Sequence, residues 1–281
     1  MKLEQNMMEF NETSGSTGYI DLARALSAVN GKSIAQTKRS KGKYKPLGFL
    51  IRIRALSGAV GVTTLSCAYP TRNAVVLAGH ARDEMLKSAG ISRSNLESYQ
   101  KELRLKFDKD MDAAGTYFPG ATDKGTGSGG WGAGLTYDYT KVVFDDPGAA
   151  GTDITQTLCV LGTQSEDISA DNFLAVVDNW YKWRHSFTPA AGDDDIADNV
   201  FSYVIQQSST SDQIINMIDD SQDEKPYNLT EFSTLGHENA VGIGVGNPTS
   251  PVICAPLGLL KIDASAGTAA WQIEVVGVVE L

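Results

Sequence analysis

Apolar residues recur two apart along Leu47–Leu56 (LGFLIRIRAL), where Phe49, Ile51 and Ile53 alternate with Leu50, Arg52 and Arg54. A period of two predicts a half-buried strand. Val60–Tyr69 follows a Ser57-Gly58 turn signal and is rich in β-formers. It reads as a second strand, paired antiparallel with the first. Leu135–Phe144 and Ile154–Leu161 are strand-like, and strands return at Ala240–Gly246, Val252–Ile262 and Ala270–Val279. In the last, Trp271, Ile273 and Val275 alternate with Gln272 and Glu274.

A period near 3.6 marks the helices. Gly18–Asn30 carries Ile20, Leu22, Leu26 and Val29 at helical spacing, with Thr17 as the cap and Gly31 past the end. Thr71–Gly90 ends at a suitable C-terminal glycine. Ser94–Met111 opens with a capping box, Ser94 and Glu97, although its LRLKF tail suits a strand equally well. Ser169–Trp183 and Asp193–Asp220 are expected helices with Asp171, Asp193 and Thr210 as candidate caps. Residues 1–16 read as a polar arm, Lys32–Lys45 as a basic loop and Tyr117–Gly134 as a glycine-rich loop.

About eight short strands separated by polar, glycine-containing turns point to a mainly β fold with helical insertions. The expected architecture is a single jelly-roll sandwich, with a compact double jelly roll as the alternative. Residues 1–45 form an arm, a short helix and a basic loop. Residues 46–281 form the jelly-roll domain, with helical insertions at about 71–113 and 169–224.

Composition sets limits. The chain has 281 residues, 42% hydrophobic and 21% charged, enough for a sizeable core and unlike a disordered chain. Three cysteines, Cys67, Cys159 and Cys254, exclude a disulfide scaffold, and with three histidines they make a metal site rich in Cys or His unexpected. No metal or cofactor is expected. The opening MKLEQNMMEFNETSGSTG has no apolar core of a signal peptide, so folding in a reducing host cytoplasm is expected.

Charge changes the picture most. Residues 1–141 carry 20 Lys and Arg against 13 Asp and Glu, a net of +7, whereas residues 142–281 carry 4 against 21, a net of −17. Such segregation favours association of basic and acidic parts of neighbouring copies. The alternative is that the fold interleaves the halves. The basic patch comprises Lys32, Lys38, Arg39, Lys41, Lys43, Lys45, Arg52 and Arg54, able to meet phosphates without reading sequence or to meet another subunit. The acidic patch expected between subunits comprises Asp193, Asp194, Asp195, Asp219, Asp220, Asp223 and Glu224.

Enzyme signatures fail. Asn30-Gly31-Lys32-Ser33 holds a GKS triplet, but Leu26 stands where a phosphate-binding loop needs glycine. Gly127, Gly129 and Gly132 have GxGxxG spacing without a strand before them or a helix after. There is no G-x-S-x-G, and His80, His185 and His237 each suit structural positions. No catalytic residue is assigned, and the protein is not expected to be an enzyme. The competing reading is a carbohydrate-binding or glycoside-hydrolysing β-sandwich, with Trp131, Trp180, Trp183 and Trp271 stacking on sugars.

The order of segments carries a resemblance. A polar arm leads to the short helix YIDLARALSAVN and a basic loop. A strand pair ending in YPTRN, a long helical stretch, acidic helices ending in DDSQDEKPYN and a final strand closing at VVGVVEL follow. This order resembles the capsid proteins of small tailless icosahedral DNA viruses. The resemblance implies a jelly-roll major capsid protein, present in many copies, without catalysis, found in the virion and assembled in the host cytoplasm. Its partners would be copies of itself, minor capsid proteins, and the genome through weak non-specific contact. Many such coats carry an Arg-rich arm, whereas the first 23 residues here contain one Lys and no Arg. The Lys32–Lys45 loop, or an internal membrane, would then stand in for the arm.

Overall fold

The computed structural model describes residues 4–40, 42–66, 69–96, 102–121, 124–125, 139–145, 153–162, 171–185, 241–243, 249–264 and 267–281. Among them strand outweighs helix, 44% against 24%, and the sheets curl into a half-barrel. The mainly β expectation holds at that level.

The strands are β1 (Met7–Glu12), β2 (Thr17–Asp21), β3 (Thr37–Ser40), β4 (Lys43–Ser57), β5 (Val60–Thr64), β6 (Lys141–Asp145), β7 (Asp153–Cys159), β8 (Phe173–Ala175), β9 (Val241–Ile243), β10 (Ile253–Pro256), β11 (Leu259–Asp263) and β12 (Ala269–Glu280). The α-helices are α1 (Leu22–Asn30), α2 (Tyr69–Ser88), α3 (Met111–Ala114) and α4 (Val176–His185). One sheet has the order β1-β12-β4-β10, with β3 added alongside β4, and a second has the order β2-β11-β5-β9. Every pairing in these two sheets is antiparallel. A third sheet, β6-β7-β8, joins β7 and β8 in parallel.

Alternation in the sequence explains the core. Phe49, Ile51 and Ile53 of β4 and Trp271, Ile273 and Val275 of β12 point inward, meeting Ile20 of β2, Val60 and Val62 of β5, and Leu260 and Ile262 of β11. Burying such side chains is the main favourable term, roughly 1.5–3 kcal/mol each. Trp271 is fully buried, stacked on Phe10 with ring centroids 6.1 Å apart and met edge-on by Tyr117 at 5.0 Å. A second core lies among α2, α4, the third sheet and Leu103, Leu105 and Phe107.

Several local expectations are corrected. The arm is not wholly free, because Met8, Phe10 and Glu12 alternate inward on β1, which pairs with β12. Its polar composition hid the period. The first helix starts at Leu22, capped by the Asp21 carboxylate accepting from the Arg24 N–H at 3.0 Å, while Thr17 opens β2. The basic loop is largely the β3–β4 ribbon. The Leu47–Leu56 and Val60–Tyr69 strands do not pair, since β4 and β5 lie in different sheets. Over 102–110 there is no helix. Leu103, Leu105 and Phe107 alternate inward, and the Lys106 N–H donates to the Leu158 carbonyl at 3.0 Å beside β7, so the strand-like reading of LRLKF wins.

The Val252–Ile262 strand is two strands. Leu257 and Gly258 both take left-handed dihedrals, φ 59 and 70, and this double reversal carries the chain from one sheet to the other. Ser169–Trp183 begins as β8 before turning helical at Val176. The helical insertions expected at about 71–113 and 169–224 belong to one excursion between β5 and β9, whose described residues hold α2, α3, α4 and a short 3-10 turn at Arg93–Asn95, with the strands β6, β7 and β8 between the helices. The Asp193–Asp220 helix lies outside the described residues.

Candidate functional site: a basic ribbon and its carboxylate anchors

Beyond the edge of the first sheet, β3 and β4 continue as a two-stranded ribbon. Lys38 stands opposite Lys45, Arg39 opposite Tyr44 and Ser40 opposite Lys43. Like charges directly opposed destabilise a strand pair. Glu280, at the end of β12, relieves this. It accepts from the Lys38 ammonium at 2.5 Å through Oε1 and from the Lys45 ammonium at 2.7 Å through Oε2. Hydrogen bonds from Lys38 and then Lys45 draw the Glu280 carboxyl down to about 2.

The ribbon's Tyr44 is anchored differently. Its ring is buried against α2, where Gly79 leaves the space: a Cβ there would stand 2.3 Å from Tyr44 Cδ2. The Tyr44 hydroxyl donates to Asp83 Oδ1 at 2.8 Å. Arg93 Nη1 donates to the same oxygen at 2.7 Å, and Arg39 Nη2 donates to Asp83 Oδ2 at 3.0 Å. The Arg39 and Arg93 guanidinium carbons lie 5.8 and 5.5 Å from the Tyr44 ring centroid, within cation–π range. Burial, then the Asp83 hydrogen bond, raises the Tyr44 hydroxyl. Arg82 is lowered by burial and donates to the Glu102 carbonyl at 2.9 Å.

Four cations, Lys38, Lys45, Arg39 and Arg93, thus share two carboxylates, Glu280 and Asp83. The base of the ribbon keeps a surplus of positive charge, and exposed Lys43 adds to it. The anchors pre-order four long side chains, which lowers the entropy cost of binding an anionic surface. Among the described residues no group of three His, Cys, Asp or Glu side chains could hold a metal ion.

The structure therefore divides the expected basic patch. Lys38, Arg39, Lys43 and Lys45 come together on the ribbon. Lys32 sits apart in the turn after α1. Arg52 and Arg54 lie on the outer face of the sheet, Arg52 paired with Glu274 at 3.4 Å. Lys41 lies outside the described residues, as do Asp193, Asp194, Asp195, Asp219, Asp220, Asp223 and Glu224. Glu280, Glu274 and Asp83 were not picked out from sequence. Two of them belong to the acidic half of the chain, so the fold interleaves the halves at Lys38, Lys45 and Arg52.

Buried polar contacts tie the excursion to the two sheets. Asp21 Oδ2 accepts from Gln36 Nε2 at 3.0 Å and from the Tyr139 hydroxyl at 3.2 Å, while Gln36 Oε1 accepts from the Leu105 N–H at 2.7 Å. Burial raises the Asp21 carboxyl, opposed chiefly by Arg104. Asp108 accepts from the Tyr19 hydroxyl at 2.8 Å and is likewise raised by burial. Glu12, fully buried, accepts from the Tyr117 hydroxyl at 2.6 Å.

The sugar-stacking expectation loses two of its tryptophans, because Trp271 and Trp180 are buried. Trp131 lies outside the described residues, as does the side chain of Trp183. The chain matches no protein-family model, no curated protein and no solved structure.

Proposed function

We propose that the two antiparallel sheets form a single jelly roll and that the protein is a self-assembling subunit of an icosahedral viral shell, a major capsid protein. Strand order carries this reading. With β3 set aside, since it pairs only with β4, counting inward from both ends pairs β1 with β12, β2 with β11, β4 with β10, and β5 with β9. A long ribbon of paired strands rolled on itself produces that nesting, and the roll adds the β12–β4 and β11–β5 pairings. One such set of eight strands favours a single over a double roll. Among the described residues, the segment between β5 and β9 then packs α2 against β4 and α3 against β2.

In this reading the ribbon faces the enclosed genome. Its surplus cations neutralise phosphates without base contacts, which suits weak, salt-dependent, non-specific binding. It supplies the charge that the first 23 residues lack.

Electron microscopy and light scattering of the purified protein test the assembly. Closed particles far larger than a monomer are expected. A strict monomer at every salt concentration overturns the reading. Reversing Lys38, Arg39 and Lys43 to Glu should strip nucleic acid from the particles, lowering their 260/280 nm absorbance ratio to that of protein alone; particles with unchanged nucleic acid overturn the role given to the ribbon.

A further inference from the structure

The outer face of the five-stranded sheet is crossed by a row of side chains that is its own complement. Met7 on β1 stands opposite Glu274 on β12, and Glu274 stands opposite Arg52 on β4. Ile253 is opposite Ile51 in the β10–β4 pairing, so the register brings Val252 beside Arg52. The row reads apolar, acid, base, apolar. Its ends are bare, Met7 44% and Val252 45% exposed. Its centre is an ion pair at 3.4 Å whose side chains are 48% and 34% exposed.

Reversed, the row reads apolar, base, acid, apolar. A two-fold axis parallel to the strands and midway between β12 and β4 lays the row on its own reversal. Glu274 then meets the partner copy's Arg52, Arg52 meets the partner copy's Glu274, and Met7 meets the partner copy's Val252. The neighbouring rows obey the same operation. On one side Gln272 is opposite Arg54, polar on polar. On the other, a register shift between Val275 and Gly277 leaves Val276 52% exposed on the strand that pairs with Leu50, so apolar meets apolar. A C2 interface requires this kind of self-complementarity, and aligned sheets pack face to face in this way.

We propose that this sheet face is an isologous interface that takes a second copy of the chain. The inference deepens the shell reading and rests on it, naming one contact between subunits. Four strands at about 4.8 Å spacing and eight residues at about 3.4 Å give a face of roughly 500 Å². That is below the roughly 800 Å² per partner of a standard stable complex. The pair is therefore weak alone, and other contacts in a closed assembly must add to it.

Complementary charge variants test the geometry. Arg52→Glu makes the centre of the row wholly acidic, and Glu274→Arg makes it wholly basic. Each variant alone should self-associate about tenfold or more weakly than the natural chain in sedimentation equilibrium. Mixed in equal amounts, they should recover association as heterodimers, because each acid again faces a base across the axis while the pair within each chain stays broken. Self-association of both single variants at the natural strength overturns the proposal, as does failure of the mixture to recover it. If either variant loses its far-ultraviolet circular dichroism, Val276→Asp takes over the test. A tenfold loss of association supports the interface, and no change overturns it. Particles that form from each single variant as well as from the natural chain sink this interface and leave the shell standing. Dimers of the natural chain without particles sink the shell and leave the interface.

Discussion

The Tyr44 ring occupies the space where a side chain at Gly79 would begin, with Cδ2 2.3 Å from an ideal Cβ. The β3–β4 ribbon is thereby seated on α2. Gly79→Ala gains roughly 0.5–1 kcal/mol of helix propensity, but it overpacks a filled site at a cost of about 1–3 kcal/mol. The second effect wins. Urea denaturation should show a net loss, accompanied by faster amide hydrogen exchange across Lys43–Lys45. A stabilised variant would mean the ring moves aside freely.

Glu280 predicts an acid-sensitive ribbon. Its carboxyl is drawn below the ordinary 4.5 to about 2. A depressed carboxylate contributes stability that is complete above its unfolded value and lost as pH falls through the folded one. The ribbon should therefore loosen between about pH 4.5 and 2, read by exchange of the Lys38–Ser40 amides. Glu280→Gln should loosen it at neutral pH too and remove that pH dependence.

Asp21 acts in the opposite sense. Its raised carboxyl makes a contribution that is complete below the ordinary carboxylate value and lost as pH rises through the folded one. Asp21→Asn keeps a helix cap but deprives the Gln36 amide or the Tyr139 hydroxyl of its acceptor, costing about 1–3 kcal/mol. The urea midpoint should fall while its decline with rising pH becomes shallower, Asp108 supplying the remainder. Parallel curves for the two proteins would remove the role assigned to Asp21.

Trp271→Ala should cost about 3–5 kcal/mol, the usual range for emptying a buried tryptophan site. Tyr117 and Phe10 would lose their shared partner, so the loss should appear in the two main sheets together. Tyr117→Phe isolates the polar part. It removes only the hydroxyl, which donates to buried Glu12 and lies 3.3 Å from the Ser16 carbonyl, and a smaller loss of about 1–3 kcal/mol is expected.

Strand positions were legible where one face is buried and the other is wet, as at Phe49-Ile51-Ile53 and Trp271-Ile273-Val275. The period was weaker where polar residues were buried. Glu12 alternates inward on β1 because nearby Ser14 and Ser16, together with distant Tyr117, satisfy its oxygens, and nothing local announces the tyrosine. The LRLKF alternation was visible, but the Ser94–Glu97 capping box competed with it. Pairing lay further out of reach, because β4 joins β12 more than 200 residues along the chain instead of the neighbouring β5. The ribbon's cations stood out in the sequence. Their anchors did not, since Asp83 is one of many helix carboxylates and Glu280 closes a strand.

Strand β12, which bonds to both β1 and β4, follows every other strand in the sequence. A nascent chain emerging from the ribosome would thus carry β1 and β4 as unfilled edges until this strand arrives. Closure waits on the most distant contacts, which slows folding. Until then the chain needs a chaperone, or speed, to keep those edges from finding another molecule.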